Sequence, residues 1–503
     1  MASYSQPLNN RLDLLRTPSP VIQRPSSPYS DWPSFTPDSS TGRSGSYREE
    51  CSGILTEWDT LGPNHPQPRQ RYTKQFLGND EDIIVSRRRY LKSYGGGLIL
   101  VFLTIFTVFT VFWGSLWMIP VKPLEGLVVD LDGGLVGLNV TLAVLGMSTS
   151  YTRWSYTSAV DFPGGTQEVS QAIQDERAWV AIVVNPGASQ RLNTALLNPD
   201  SSYNGTQAIT AYISEARQET AFRNFLRPQT TLVLDSVTSK FAVALARQMS
   251  AASNLASIMS SSPQTVTQPI YFSIDNLRPF HQPVATAATF VGLIYMLILS
   301  FFVVMVGNSA RSSSGLKKQL TLPSLIKLRF ASSFTAYLIV SLFYTALNKA
   351  FRLNMSETFG SRGFIILWML NWIGMLSVGL ALESMITILT PRYIPFFLIL
   401  WIVANNSVCM NPIEMLPSFY RYGYGVPFYN ISRATRTLSM GTHNEIGLNI
   451  AVLFVWIIIS CFTLVVFQWY VRKREIRRQV HGNSKSLGDR EKRVAGSGAP
   501  PTT

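Results

Sequence analysis

Apolar residues in this chain are concentrated in long runs that contain few or no charges. The first run, at 95–120, has no charged residue, and its length suits a helix across a hydrocarbon core, which needs about 20 apolar residues. Further runs of this character lie at 284–306, 330–348, 363–389, 393–409 and 448–470. The pattern predicts six transmembrane helices, with a long polar segment between the first and the second.

The long polar segment, at 121–283, has the mixed periodicity of a folded domain. Short apolar or alternating runs predict strands, and apolar residues at helical spacing predict helices. The predicted strands are at 126–132, 179–184, 209–213 and 270–274, and the predicted helices are at 166–177 and 231–259. Strands that alternate with helices favour an α/β fold. The segment contains no cysteine, so it must be held by its own core.

Basic residues cluster beside the apolar runs and contribute to a formal net charge of +14. The clusters lie at 87–92, 311–329 and 472–478. Because basic residues stay on the cytoplasmic side of a membrane, both termini are predicted to be cytosolic and 121–283 to be external. The charge is then explained by topology and by attraction to anionic inner-leaflet lipids, without a nucleic-acid partner.

The predicted fold class is a polytopic α-helical membrane protein with 1+5 transmembrane helices and an α/β extracytoplasmic domain inserted between helices 1 and 2. Its predicted parts are a disordered Ser/Pro-rich cytosolic tail at 1–94, transmembrane helix 1 at 95–120, the α/β domain at 121–283, a five-helix transmembrane domain at 284–470 and a basic cytosolic tail at 471–503.

Two kinds of modification motif are consistent with this topology. N-x-[ST] sequons begin at Asn139, Asn204, Asn354, Asn405 and Asn430, all on segments predicted to be external or near the outer interface. We expect Asn405 to lie too deep in the membrane, which leaves the other four as candidate glycosylation sites. In the N-terminal tail, proline-directed phosphorylation is a candidate at Thr17, Ser19, Ser27 and Thr36.

Motifs for nucleotide binding and catalysis are missing from the sequence. It contains no G-x-x-x-x-G-K-[ST] phosphate-binding loop, no G-x-S-x-G and no H-E-x-x-H. Its 4 histidines are scattered, which argues against a histidine-based metal site. We therefore expect neither enzyme activity nor a cofactor.

Glu383 is the one acidic residue well inside an apolar run. Intramembrane carboxylates are costly, and they often line a pathway or pair with a base. The alternative is that Glu383 lies near the cytoplasmic end of its helix and extends toward water, with Arg392 as a candidate partner. Asn371, in the same run, is a candidate for a hydrogen bond between helices.

The segment 411–430 contains two prolines and a dense group of aromatic residues beside Arg421. Prolines break a continuous helix, and aromatic residues concentrate at membrane interfaces. The segment either anchors the protein at the outer interface or forms a lip that contacts substrate or lipid. The candidate pathway or interface residues are therefore Glu383, Asn371, Asn405, Arg421 and Tyr424.

Three late sequence blocks carry a resemblance to a known family. They are FGSRGFIILWMLNWIGMLSVGLALESM at 359–385, PRYIPFFLILWIVANNS at 391–407 and PIEMLPSFYRYGYGVPFYN at 412–430. These blocks resemble the fungal nitrosoguanidine-resistance membrane protein family, and AWVAIVVNPGAS at 178–189 fits it too. One helix, an external domain and five helices are more distantly similar to bacterial phage-infection-type proteins and other ABC-2-type permeases.

The resemblance implies toxicant resistance at a membrane, with the plasma membrane as the main expectation and a Golgi or endosomal membrane as the alternative. One hypothesis is a permease-like protein that moves lipids or a hydrophobic toxicant, with membrane lipids as partners. Since the chain has no ATPase motif, such a pump would need a separate nucleotide-binding partner or another energy source, and it could act as a homodimer. The other hypothesis is a non-transporting regulator or scaffold of lipid asymmetry or stress response, which uses its external domain and phosphorylatable tail.

Overall fold

The structure is a computed structural model that describes residues 74–147 and 149–496. The chain divides into two compact units, Met1–Arg89 and Tyr90–Thr503. The described part of the first unit contains a turn and the start of a helix, and the elements that follow belong to the second unit. The candidate phosphorylation sites Thr17, Ser19, Ser27 and Thr36 lie outside the described residues.

The longer helices of the described chain are numbered in chain order. They are α1 (Glu81–Thr104), α2 (Leu135–Leu145), α3 (Thr166–Gln174), α4 (Ala188–Leu197), α5 (Arg227–Met249), α6 (Gly292–Ser313), α7 (Leu322–Ala350), α8 (Gly363–Asn406), α9 (Pro427–Met440) and α10 (Ile446–Gly496). Shorter helical pieces include Thr110–Gly114, Glu219–Ala221, Leu255–Ser261, Gln264–Thr267, Val284–Thr286 and Leu316–Gln319. Single π-helical turns at Ile105–Phe109, Phe222–Leu226 and Ala287–Val291 connect some of these pieces to the longer helices.

Among the described residues, five helices are long and apolar enough to cross a membrane. They are Glu81–Gly114, Val284–Ser313, Leu322–Ala350, Gly360–Asn406 and Ile446–His481. The first begins well before residue 95, so the basic residues at 87–92 lie within the helix and not in a disordered tail. The last continues as helix through the basic segment that follows residue 470. The predicted boundaries at 94 and 470 are therefore not boundaries between helix and coil.

Helix α8 combines the fourth and fifth predicted spans. Its backbone is non-helical at Thr390, where φ is 63° and ψ is 162°. Gly374 of the first half packs against Ile431 of α9, and the side chain of Asn405 in the second half accepts a hydrogen bond from the Phe428 amide, 3.3 Å away. A straight helix would separate residues 374 and 405 by about 46 Å at 1.5 Å per residue. The chain therefore reverses direction at Thr390.

Between the first two candidate spans the chain forms a mixed five-stranded sheet. Its strands are β1 (Leu124–Asp130), β2 (Thr152–Thr157), β3 (Val180–Val184), β4 (Ile209–Ile213) and β5 (Phe272–Asn276), in the order β2-β1-β3-β4-β5. The pairs β1–β2, β1–β3 and β4–β5 are parallel, and β3–β4 is antiparallel, with Ile182 opposite Ala211. Strand β3 lies in the centre of the sheet and all five of its residues are buried, which explains its continuous apolar run.

Helices cover both faces of this sheet. On one face, Ile182 and Val128 pack with Val140 of α2 and Val237 of α5. On the other face, Val129, Ala181 and Val183 pack with Val169 and Ile173 of α3. Alternate residues of β1 and β3 thus enter different cores, as the period of two in a strand requires.

Several elements of this domain differ from the sequence-based expectation. Helices α2 and α4 and strand β2 were not predicted. The predicted helix at 231–259 ends at Met249, and a separate short helix follows at Leu255–Ser261. Helix α9 follows the aromatic segment, which itself contains the 3₁₀ turns Ile413–Met415 and Ser418–Gly425. The segment 411–430, which the sequence predicted at the outer interface, therefore consists of two short turns and the start of α9.

The loop after β1 is built around two carboxylates. Asp130 Oδ1 accepts hydrogen bonds from the amides of Asp132 (2.9 Å) and Gly133 (3.0 Å). The carboxylate of Asp132 accepts from the amide and hydroxyl of Ser189 at the start of α4. Gly137 approaches Asp130 so closely that a Cβ there would lie 2.1 Å from Oδ1. The Asp-Leu-Asp-Gly-Gly sequence thus joins β1, α2 and α4.

Candidate functional site

A buried ion cluster lies where α6, α7, α8 and α10 meet. Glu383 of α8 is 1% exposed, and its Oε1 is 2.7 Å from Nη2 of Arg311 and 2.7 Å from Nε of Arg329. Arg329 also donates to the Glu383 carbonyl, to Thr387 Oγ1 (2.8 Å) and to Gln468 Oε1 (2.6 Å). Arg329 of α7 therefore bonds directly to α8 and α10, and Arg311 of α6 joins the cluster through Glu383.

The positions of the charged residues explain how they meet. Arg311 lies in the last turn of α6, Arg329 in the second turn of α7, and Glu383 about two turns before the break at Thr390. The end of α6, the start of α7 and the break in α8 at Thr390 therefore lie at the same end of the helical bundle. Removing two cations and one anion from water costs several kcal/mol per ion, so each charge needs its partners to remain buried.

The cluster has unequal charges. Arg311 and Arg329 carry two positive charges, and Glu383 carries one negative charge, so the group has a net charge of +1. Both hydrogen bonds from the arginines end on Oε1 of Glu383. The site is therefore a cation-rich centre and not a balanced ion pair.

A cavity of about 360 Å³ extends from this cluster along α6 and α7. Arg311, Glu383, Ser332 and Ser333 provide its polar end. The remaining lining is Leu299, Phe302, Val303, Val306, Gly307, Ala336 and Val340. Phe302 and Val306 are 56% and 68% exposed, so this apolar wall opens at the outer surface of α6. The cavity combines a long apolar part with one charged end.

The sequence identified Glu383 but not its partners. Arg392, the predicted partner, donates instead to Ser93 Oγ at 2.8 Å. Arg311 and Arg329 were interpreted as residues of a cytoplasmic loop, whereas both lie within helices and are buried. The available signal was that the loop between two apolar runs has an arginine at each end and that one intramembrane acid needs a counter-charge.

Asn371 and Asn405 have structural partners. Asn371 Nδ2 donates to Thr345 Oγ1 at 2.8 Å and links α8 to α7, in agreement with the predicted hydrogen bond between helices. Asn405 is fully buried, and its Nδ2 donates to the Trp401 carbonyl at 2.9 Å. Neither residue lines the cavity beside Glu383.

Arg421 and Tyr424 belong to a different site. Both are exposed, and both line a cavity of about 690 Å³ that also includes Glu125 and Arg153 of the sheet domain. Burial raises the pKa of the Tyr424 hydroxyl, and the nearby Glu414 raises it further. The structure therefore brings these two candidates together at the junction with the α/β domain, remote in the fold from Glu383.

A second ion cluster fastens the α/β domain to α9. Glu176 Oε2 lies 2.9 Å from Nη2 of Arg433 and 3.4 Å from Nε of Arg217. The guanidinium of Arg217 lies over Trp179, 3.6 Å from the ring centroid. Burial lowers the pKa of Arg217, and the negative charge of Glu176 opposes that change. No sequence pattern predicted this contact, because its members are distant along the chain.

The sequons differ in accessibility. Asn139 and Asn204 are exposed, and Asn354 is partly exposed. Asn430 is 2% exposed, and its Nδ2, the atom that would carry a glycan, donates to the carbonyls of Tyr424 (3.0 Å) and Val426 (2.8 Å). A glycan cannot be attached to folded Asn430 without unpacking the start of α9, so the structure argues against this candidate.

The fold and the buried site define an integral membrane protein of several apolar helices, with a small mixed-sheet domain between the first two. Its sequence matches, over residues 97–462, a family described as a protein of unknown function (DUF3533). The chain belongs to that family. It is also similar to an uncharacterized endoplasmic reticulum membrane protein of Saccharomyces cerevisiae, with 22% identity over 420 residues, which cover 75% of this chain and 79% of the relative.

Proposed function

We propose that the protein crosses the membrane six times, with both termini in the cytosol and the sheet domain outside. Five candidate helices and the reversal at Thr390 support six crossings. Basic residues at 87–92, 317–327 and 472–478 then lie on one side, as expected for cytoplasmic segments. The ion cluster around Glu383 falls at the cytosolic end of the helices in this topology.

We further propose that the protein transports or redistributes lipids or hydrophobic compounds across or within the bilayer, and thereby contributes to toxicant resistance. The observation that carries this proposal is the cavity beside Glu383, which is open to lipid and apolar along most of its length. A buried ion cluster inside a helical bundle is costly, and such groups commonly mark substrate pathways. The resemblance to ABC-2-type permeases and nitrosoguanidine-resistance proteins points in the same direction.

The proposed activity is non-enzymatic and needs no cofactor in this chain. Energised transport would need a separate nucleotide-binding partner, whereas passive redistribution would not, and a homodimer is compatible with either. We keep the plasma membrane as the proposed location. The name of the yeast relative adds the endoplasmic reticulum to the Golgi and endosomal membranes as alternatives.

Reconstitution in liposomes tests the proposed activity. Purified protein should accelerate movement of fluorescent phospholipid between leaflets or export of a hydrophobic dye, and Val306→Trp, which fills the mouth of the cavity, should abolish this activity. Val455→Trp is the matched control, because Val455 is 53% exposed on α10 and lies outside the cavity lining. Equal activity of protein-containing and empty liposomes, with and without nucleotide, would reject the transport proposal.

A second candidate function is a regulator or scaffold that binds a ligand through the α/β domain. A groove of about 820 Å³ between α2, α4 and α5 favours it. Leu135, Leu138 and Leu142 of α2 are each more than half exposed beside this groove, which is unusual for a surface helix of a soluble domain. Leu138→Glu should impair the cellular phenotype and leave liposome activity unchanged if this function is the main one.

A further inference from the structure

We propose that the cavity between α6 and α7 is a binding site for one anionic phospholipid of the cytosolic leaflet, with its headgroup phosphate at Arg311. This inference rests on the proposed function, since it adopts the six-crossing topology and names the ligand of the same cavity. Its basis is the juxtaposition of a lipid-exposed apolar wall and a cation-rich end.

The length of the apolar wall matches one leaflet. Leu299 and Arg311 both line the cavity, and Arg311 is the twelfth residue after Leu299 in the helix. At 1.5 Å per residue this distance is about 18 Å, close to half of a hydrocarbon core that is about 30 Å thick. An acyl chain that begins at Arg311 would therefore end near the middle of the bilayer, beside Leu299.

The charge of the polar end selects the headgroup. Arg329 donates four hydrogen bonds, to Glu383, Thr387 and Gln468, which occupy its guanidinium within the bundle. Within the described part of the chain, Arg311 has one hydrogen-bonded partner, Glu383, and it lines the cavity at its helix end. Arginine recognises phosphate with several donors at once. The negative charge of Glu383 offsets one of the two arginine charges, so the cluster keeps a net charge of +1. A phosphate monoanion or an anionic headgroup completes the charge balance.

Small residues keep the approach to Arg311 open. Gly307 lies one turn before Arg311, and a Cβ at this position would be 3.2 Å from Nη1 of the arginine. Ser332 and Ser333 on α7 supply hydroxyls at the same end of the cavity. A zwitterionic lipid could fill the apolar wall and offer the same phosphate, but the ammonium of its headgroup cancels the phosphate charge, so the excess positive charge of the cluster would stay uncompensated.

The test uses full-length protein in nanodiscs with photoactivatable phospholipids of identical chains. Phosphatidic acid and phosphatidylserine probes should label 299–311 or 332–340 about fivefold more than a phosphatidylcholine probe, the factor expected for one favourable unit charge at a membrane surface. Inorganic phosphate in excess should not reduce the labelling, since the acyl chain of the lipid makes the apolar contacts and free phosphate has none. Competition by inorganic phosphate would show a free-phosphate site and overturn the lipid assignment.

Substitutions distinguish the contribution of the lipid headgroup to binding from that of the acyl chain. Arg311→Gln leaves Arg329 paired with Glu383, so the fold should persist while the preference for anionic probes is lost, and Arg311→Lys should keep it. Val306→Trp should abolish labelling by every probe, whereas Val455→Trp should not. Equal labelling by anionic and zwitterionic probes in the wild type would overturn this inference.

The two proposals can fail separately. Selective labelling without any lipid movement in liposomes would reject the proposed transport and keep the binding site. Lipid movement that Val306→Trp abolishes, with no headgroup preference in the labelling, would reject the anionic-lipid site and keep transport.

Discussion

Nε of Arg329 lies 2.7 Å from Oε1 of Glu383, with both side chains buried among four helices. Glu383→Gln removes the negative charge and leaves two buried guanidinium groups without a counter-ion. Breaking a buried pair in this way typically costs 3–5 kcal/mol, so we expect about that loss of stability and a lower melting temperature. Fluorescence-detected unfolding of the purified protein measures it.

A double-variant cycle sharpens this prediction. Glu383→Gln with Arg329→Gln should be less destabilised than the sum of the single variants, because the double variant leaves one guanidinium group without a counter-ion, that of Arg311, whereas Glu383→Gln alone leaves two. The exposed Asp161→Asn is the control for loss of a carboxylate and should unfold like the wild type. A Glu383→Gln protein of unchanged stability and resistance phenotype would contradict both the energetic role and the pathway interpretation.

Glu176 has an unusual backbone for a residue that forms two ion pairs. Its φ of 62° lies in the left-handed region, which costs a non-glycine residue about 1–2 kcal/mol. Glu176→Gln keeps this strain and loses the charge that pairs with Arg217 and Arg433, whereas Glu176→Gly loses the charge and relieves the strain. We expect both variants to increase proteolysis of the segments at the interface of the α/β domain with α9. The Glu176→Gly variant should be cleaved more slowly than the Glu176→Gln variant. Identical stability of the two variants would contradict the role of strain.

Gly137 tests the packing of the loop after β1. Gly137→Ala places a methyl group on the Asp130 carboxylate, which two backbone amides hold in place. We expect a loss of about 1–3 kcal/mol, typical of overpacking, in thermal unfolding. Gly146→Ala is the matched control, since its nearest neighbour would be 3.4 Å away and its φ is −72°, and it should be neutral or slightly stabilising.

Glycosylation tests the location of the α/β domain. In a eukaryotic host, enzymatic deglycosylation should shift the mobility of the protein, and Asn139→Gln with Asn204→Gln should remove most of the shift because both side chains are exposed. Asn430→Gln should leave the mobility unchanged, because that side chain is buried. An unglycosylated wild type, or a shift that depends on Asn430, would contradict the proposed topology or the packing of α9.

Apolar periodicity alone located the membrane helices and most of the sheet. Transmembrane runs and the buried strand β3 could be predicted because each must be apolar along its own length, whatever its neighbours. The sequence did not reveal α2 or β2. Helix α2 is apolar on nearly every side and so lacks the helical periodicity that would identify it, and β2 lies at the edge of the sheet, where its pairing with β1 decides its structure.

The sequence also determined that a lone carboxylate, Glu383, lies within an apolar run, and therefore that it needs a partner. Only the tertiary structure decided that the partners are Arg311 and Arg329, which lie 72 and 54 residues away in the chain. Two arginines at these positions were equally compatible with a loop exposed to water, because the sequence does not determine where a guanidinium group lies in space. The reversal at Thr390 and the meeting of four helix ends fix that position, and both depend on packing between distant segments.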